Sequence, residues 1–192
     1  MKILCFGDSN TYGYDPRSFC GGRYPAQGRW VNLLAEKLCC EVVNAGENGR
    51  GIPKSEWEIN RFNGFLINQK PLGRLIVMLG SNDLLQGNSA ESVAEQMESF
   101  LERVDLERSK ILLIVPPPMM RGEWVAEQTL IDASIELGRE YQKCSQRLGV
   151  LFADAGEWDI PLAFDGVHFT EEGHKAFAEG LCQKLRDITD NY

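Results

Sequence analysis

A serine, a histidine and an aspartate stand in this chain at spacings that permit proton transfer. Ser9 lies in Gly7-Asp8-Ser9-Asn10, directly after an apolar run at residues 3–6. A serine hydroxyl is a weak nucleophile until a base takes its proton, and that base is nearly always histidine. The chain has two. His174 falls within a helical pattern, flanked by Gly173 and Lys175, with no acid placed to orient it. It reads as a helix-surface or partly buried side chain. His168 sits in Asp165-Gly166-Val167-His168-Phe169-Thr170, in a loop just ahead of a helix. A tight turn there can bring Asp165 back to Nδ1 of His168 and leave Nε2 to face a serine. Taken alone, the same stretch is equally a loop histidine beside a chance acid.

Two further segments bear on the same chemistry. Gly80-Ser81-Asn82-Asp83 follows the most apolar run, at 75–79. An asparagine N–H at a strand end can donate to an oxyanion, although Asn82 and Asp83 can also form an Asx-turn. Asn44-Ala45-Gly46-Glu47-Asn48-Gly49 follows a run at 41–44. Glycine there lets the backbone approach a ligand and aim an N–H at it; in isolation the segment is an ordinary glycine-rich turn. Their common placement favours the chemical reading. All four segments follow predicted strands, at the edge where an open α/β sheet binds ligands.

The elements that must position these residues follow from hydrophobic periodicity. Short continuous runs at 3–6, 41–44, 75–79, 111–115 and 150–154 predict strands buried on both faces of a parallel sheet. Helical spacing appears between them. Trp30, Leu33, Leu34, Lys37 and Leu38 form one face, with Gly28 as its start; Val93, Met97, Phe100, Leu101 and Val104 form another, with Ser89 or Ser92 as N-cap. A longer helix is expected over 129–148, ending at Gly149, and a last one after Thr170, burying Phe177, Leu181 and Leu185. Residues 50–70 read as a loop with a helix around 56–63. Alternating strands and helices predict an α/β fold with right-handed crossovers.

Composition narrows the function classes. The chain has 192 residues, enough for one well-buried core, and no linker or repeat divides it, so residues 1–192 are read as a single domain. A net charge of −8 without a basic cluster argues against nucleic acid or an anionic membrane as partner. No apolar run is long enough to span a bilayer, and the first lacks a basic leader and cleavage site, which predicts a cytoplasmic protein. Six cysteines without C-x-x-C spacing agree, most being accounted for by apolar strand or helix faces.

The four segments, in order, resemble those of the SGNH (GDSL-type) serine hydrolases. That resemblance implies a flavodoxin-like three-layer αβα sandwich with a five-stranded parallel sheet and helices on both faces. It implies Ser9 as nucleophile, His168 as base and Asp165 as its orienting acid. It places the oxyanion donors at the N–H of Ser9, the N–H of Gly49 rather than Gly46, and the side chain of Asn82. No metal or cofactor is called for, and the partner is a small-molecule ester. One departure is Asn10, where the family name implies leucine; a polar residue there can hydrogen-bond nearby loops. Tyr12, Tyr14, Arg29-Trp30, Arg50 and Pro116-Pro117-Pro118 are similar to the compact arylesterase-like branch, which acts on small acyl esters, can transfer acyl groups and makes a homo-oligomer conceivable. Asn10, Tyr12 and Trp124 are the candidate substrate contacts, while loops at 17–22, 50–63 and 119–124 would shape selectivity.

Other residues have plainer readings. Asp8 is expected to hold its loop by accepting backbone N–H bonds. Trp57, Trp158 and Phe164 line a pocket or pack a satellite core. Arg121, Glu123 and Glu127 read as a solvated face. Carbohydrate O-acetyl ester hydrolysis on the same residues is one alternative. Another is a flavodoxin-like module whose Ser9-Asn10-Thr11-Tyr12-Gly13 loop cradles a phosphate or cofactor, which leaves Asn82, Asp165 and His168 without a task.

Overall fold

In the computed structural model, which describes residues 2–18 and 20–190, the five apolar runs pair as one parallel sheet. Its strands are β1 (Lys2–Gly7), β2 (Glu41–Gly46), β3 (Arg74–Met78), β4 (Ile111–Val115) and β5 (Leu151–Asp154). Side chains alternate between two faces. Leu4, Phe6, Leu75, Val77, Leu113 and Val115 enter one core cluster, and Ile3, Cys5, Ile76, Met78, Leu112 and Ile114 enter the other. In β1, β3 and β4 burial of both faces is why the runs are continuously apolar, whereas the edge strands β2 and β5 are mostly half-buried, which corrects the expectation for those two.

Helices α3 (Glu56–Ile67), α5 (Ala90–Glu102) and α6 (Gln128–Leu148) cover the first face with Phe62, Leu66, Met97, Phe100, Leu137 and Tyr141. Helices α2 (Trp30–Leu38) and α7 (Glu171–Asp190) cover the second with Trp30, Leu34, Phe177, Leu181 and Leu185. Two short helices, α1 (Ser9–Tyr12) and α4 (Ser81–Leu85), sit just past β1 and β3. The result is the expected αβα sandwich. Strand order is β2-β1-β3-β4-β5, so the chain winds to one side of β1 first and to the other side afterwards. The carboxyl ends of β1 and β3 flank the resulting switch point, where such sheets bind ligands.

Several boundaries differ from the sequence expectation. Gly28 does not start α2; it closes a 3₁₀ turn at Ala26–Gly28, and Arg29 is the N-cap. Ser89, whose side chain accepts from the Ser92 N–H, caps α5. α3 continues past the expected residue 63, through Gly64, because Leu66 one turn on is completely buried and holds the extra turn against the sheet. β3 and β5 are each displaced or shortened by one residue relative to 75–79 and 150–154. Only Cys5, Cys144 and Cys182 are buried; Cys20 and Cys39 are exposed and Cys40 is half-buried, so apolar faces account for three of the six. Residue 19, within the loop expected at 17–22, lies outside the described residues.

Candidate active site

Ser9 opens the single turn of α1 at the end of β1. Asp8 is the N-cap, and its Oδ1 accepts the Asn10 N–H at 3.0 Å. Asp8 is buried, and burial pushes its carboxyl up to about 6 even though the Asn10 N–H and the charges of His168 and Arg50 pull it down. It holds the loop as expected and makes no contact with the Ser9 hydroxyl.

The Ser9 Oγ lies 2.9 Å from His168 Nε2. His168 is carried on a turn built by its own neighbour: Asp165 Oδ1 accepts the N–H of Val167 and of His168, both at 2.9 Å, and Oδ2 sits 2.7 Å from His168 Nδ1. Gly166 makes this turn possible. Its φ is +83°, and a Cβ there would lie 2.1 Å from the Met120 carbonyl oxygen. Burial alone would raise the Asp165 carboxyl, but the hydrogen bonds from the His168 ring and from two backbone N–H groups outweigh it and hold it below its ordinary value. An ionised Asp165 accepts only, so Nδ1 carries the proton and Nε2 of a neutral ring is left to accept from Ser9. The arrangement is equipped to move a proton off the serine hydroxyl.

The third and fourth segments meet beside this pair. Asn82, in α4, donates from Nδ2 to the Arg50 carbonyl oxygen at 3.0 Å, leaving its second amide hydrogen for another acceptor. Asp83 does not form an Asx-turn. Its fully buried carboxylate accepts the Ile52 N–H at 3.1 Å and pairs with Lys54 Nζ at 3.1 Å. Arg50 fastens the same loop to β1: Nη1 donates to the carbonyls of Gly7 (2.9 Å) and Ala45, and Nη2 pairs with Glu47. The Glu47 N–H also donates to Gly7. Gly49, next to Arg50, takes φ +73° with open space where a side chain would stand. Thus Gly49 and Asn82 are coupled through one carbonyl, although 33 residues separate them in sequence.

Aromatic rings frame the imidazole. The Tyr14 ring stands 4.7 Å from it, tilted, and Trp124 meets it edge-on at 4.9 Å. Trp124 is 52% exposed, and Met120 and Phe164 are likewise exposed. Beyond Gly49 opens a cleft of about 590 Å³, lined among others by Asn48, Trp57, Arg61 and Phe65. Trp57 and Phe164 are exposed, whereas Trp158 packs on Phe177. Arg121, Glu123 and Glu127 are exposed as expected.

One sequence expectation is corrected here, that of His174, and two candidate substrate contacts are located. Asn10 is 3% exposed and both ends of its amide bind backbone, Nδ2 to the Val167 carbonyl at 3.1 Å and Oδ1 to the Phe169 N–H at 2.9 Å. Tyr12 is half-buried, with its ring 4.1 Å below the Arg23 guanidinium. His174 is neither on the surface nor partly buried. It is wholly enclosed between Tyr24 and Phe169, its Nδ1 accepts the Trp30 N–H at 3.4 Å, and burial lowers it to about 3. Asp83 and the carbonyl-binding role of Arg50 had no local signal in the sequence; only the meeting of distant loops gives them a task.

These features agree with what the chain resembles. A mouse (Mus musculus) protein named isoamyl acetate-hydrolyzing esterase 1 homolog is 30% identical over 215 aligned positions, covering 96% of this chain and 81% of that protein. The structure of an aryl esterase from M. smegmatis superposes with a TM-score of 0.83 at 26% identity, over 97% of this chain and 99% of that one. A carbohydrate acetylesterase family member from Sinorhizobium meliloti does so with a TM-score of 0.78 at 26% identity, over 97% and 98%. With residues 5–176 matching the GDSL-like Lipase/Acylhydrolase family from β1 into α7, the chain belongs to that family of carboxylic ester hydrolases.

Proposed function

We propose that this enzyme hydrolyses small acyl esters through an acyl-enzyme on Ser9. The observation that carries the reading is the continuous line from Ser9 Oγ to His168 Nε2 and from Nδ1 to Asp165, at 2.9 and 2.7 Å. His168 Nε2 takes the hydroxyl proton as Ser9 Oγ bonds to the ester carbonyl carbon. The N–H groups of Ser9 and Gly49 and the free amide hydrogen of Asn82 receive the oxyanion. The tetrahedral intermediate collapses by breaking the carbon–alkoxy bond, and His168 returns the proton to the leaving alcohol. A water molecule, or an acceptor alcohol, then repeats the sequence in reverse to free the acid or a new ester.

The leaving oxygen must face His168 Nε2, so the Tyr14 and Trp124 rings are read as the contacts of the alcohol half. The acetate ester named for the mouse relative supports a short acyl group. A second reading, O-acetyl groups on a sugar, is favoured by the exposed Trp124 indole, a face on which a sugar ring can stack beside the base. We read residues 1–192 as one catalytic domain, because one sheet carries both helical layers. Six free thiols fit a reducing compartment such as the cytoplasm. Among the described residues no helix is long and apolar enough to cross a membrane.

Initial rates on 4-nitrophenyl esters of increasing acyl length, and on acetylated sugars, test these readings, with Ser9→Ala and His168→Ala beside the parent enzyme. The expected result is turnover of acetyl and butyryl esters that falls by about a thousandfold or more in either variant. Undiminished turnover in folded Ser9→Ala would sink the assignment.

A further inference from the structure

Ser9 and His168 are 159 residues apart in sequence, and their mutual hydrogen bond cannot by itself keep them in register. That bond is consumed in every cycle, when the proton leaves and Oγ becomes bonded to carbon. Asp165 makes the 165–168 turn a rigid unit, but the bonds of its carboxylate are all internal to the turn. The turn is also pinned to the loop before α6, through Met120 N–H to the Gly166 carbonyl at 3.0 Å and Trp124 N–H to the Asp165 carbonyl at 3.1 Å. None of these ties says where the turn stands relative to Ser9.

We infer that Asn10 is the positioning residue that sets the Ser9–His168 distance, by clamping the two backbone groups on either side of His168 to the residue next to Ser9. This rests on the roles proposed above for Ser9 and His168. Asn10 Nδ2 donates to the Val167 carbonyl and Oδ1 accepts the Phe169 N–H, so the amide brackets the base from both flanks. Asn10 is itself immobilised. Its N–H donates to Asp8 Oδ1 at 3.0 Å, and its carbonyl accepts the Trp30 indole N–H at 2.9 Å. Among the described residues, the direct hydrogen bonds between residues 8–11 and 163–170 are those of Ser9 and Asn10 alone. Only an amide of this length serves both arms. Leucine matches its size but offers neither donor nor acceptor. Aspartate can accept from Phe169 but sets a carboxylate against the Val167 carbonyl.

Proton transfer depends steeply on placement, and a shift of about 1 Å costs on the order of a hundredfold in rate. The Asp165–His168 pair stays intact when Asn10 is replaced, so the ring keeps its electrostatic partner. The signature for Asn10→Leu is therefore a fall in kcat with KM and the pH midpoint of the rate unchanged. The test uses Asn10→Leu, with Asn10→Asp as a second variant should the first fold poorly. Both are assayed on 4-nitrophenyl acetate, with active sites counted by fluorophosphonate titration and Ser9→Ala as control.

The expected result for Asn10→Leu is a kcat per titrated site about 10- to 100-fold lower, with KM within about twofold, and a smaller fall for Asn10→Asp. Slower fluorophosphonate labelling in the same proportion would support the clamp. A kcat per titrated site within about twofold of the parent, in whichever variant folds, would overturn it, since Asn10 would then serve the fold alone. A rise in KM without loss of kcat would overturn it too, making Asn10 a substrate contact. Undiminished activity in Ser9→Ala would instead overturn the underlying Ser9 reading, so the two failures are distinguishable.

Discussion

Two buried groups near the active site titrate in opposite senses, so their contributions to stability offset one another as the pH changes. His174 is enclosed by Tyr24, Phe169 and the start of α2; burial, helped by the charges of Arg29 and His168, lowers it from 6.5 to about 3. Below pH 6.5 the unfolded chain therefore takes up a proton that the folded one refuses, and stability falls as pH falls. Asp8 does the reverse. Burial raises its carboxyl from 3.8 to about 6, so between those values the fold keeps a proton that the unfolded chain has lost. Its contribution is complete below pH 3.8 and disappears as pH rises through 6. Each unit of pH across a full one-proton difference is worth about 1.4 kcal/mol. From pH 6 to 4.5 the two slopes nearly cancel in the parent enzyme. Asp8→Asn keeps an oxygen for the Asn10 N–H and removes the titration, exposing the His174 slope: the variant should lose about 2 kcal/mol over that range. His174→Asn should show the opposite, gaining about 1.5 kcal/mol as the pH falls from 6 to 4.5. The assay is urea unfolding followed by tryptophan fluorescence at pH 4.5, 5, 5.5 and 6, with the change in stability across pH as the readout. An Asp8→Asn variant whose stability changes with pH no more steeply than the parent's would refute the opposed titrations.

Three further outcomes are expected. Asn82→Ala removes the side-chain oxyanion donor, so kcat on 4-nitrophenyl acetate should fall by about 10²–10³-fold while the unfolding midpoint in urea stays close to the parent's; an unchanged kcat would remove Asn82 from the oxyanion site. Asp83→Ala strands the buried Ile52 N–H and releases the loop that carries Arg50 and Gly49, and should cost about 1–3 kcal/mol of stability together with a loss of kcat. Equilibrium unfolding and initial rates on the same preparation check both parts, and a variant with parental stability would contradict them. Trp124→Ala opens the alcohol side of His168, so rates should change with the leaving alcohol across a series of acetate esters and much less with acyl length; the reverse pattern would place Trp124 on the acyl side.

The strands and the chemistry of the loops behind them were legible in the amino-acid sequence because both depend on local physics. Burial on both faces makes a strand continuously apolar, and Gly166 beside Asp165 and His168 specifies a tight turn within a few residues. The αβα architecture follows from the alternation of such runs with helical spacing. Helix ends were less legible: α3 runs on through Gly64 because Leu66 finds the core, and backbone propensity at Gly64 carries no record of that contact.

What only the tertiary structure decided is how separate segments hold one another. The partners of the Asn10 amide are 157 and 159 residues away, and the Ile52 N–H reaches Asp83 across 31. His174 has the local pattern of a helix-surface residue, yet Tyr24 and Phe169 enclose it. The aromatic frame of His168 joins Tyr14 to Trp124 across 110 residues of sequence. A sequence records which groups a segment carries, but hydrogen-bond direction and burial are properties of pairs. They exist only once the sheet has brought the ends of β1 and β3 and the loop before α7 to the same place.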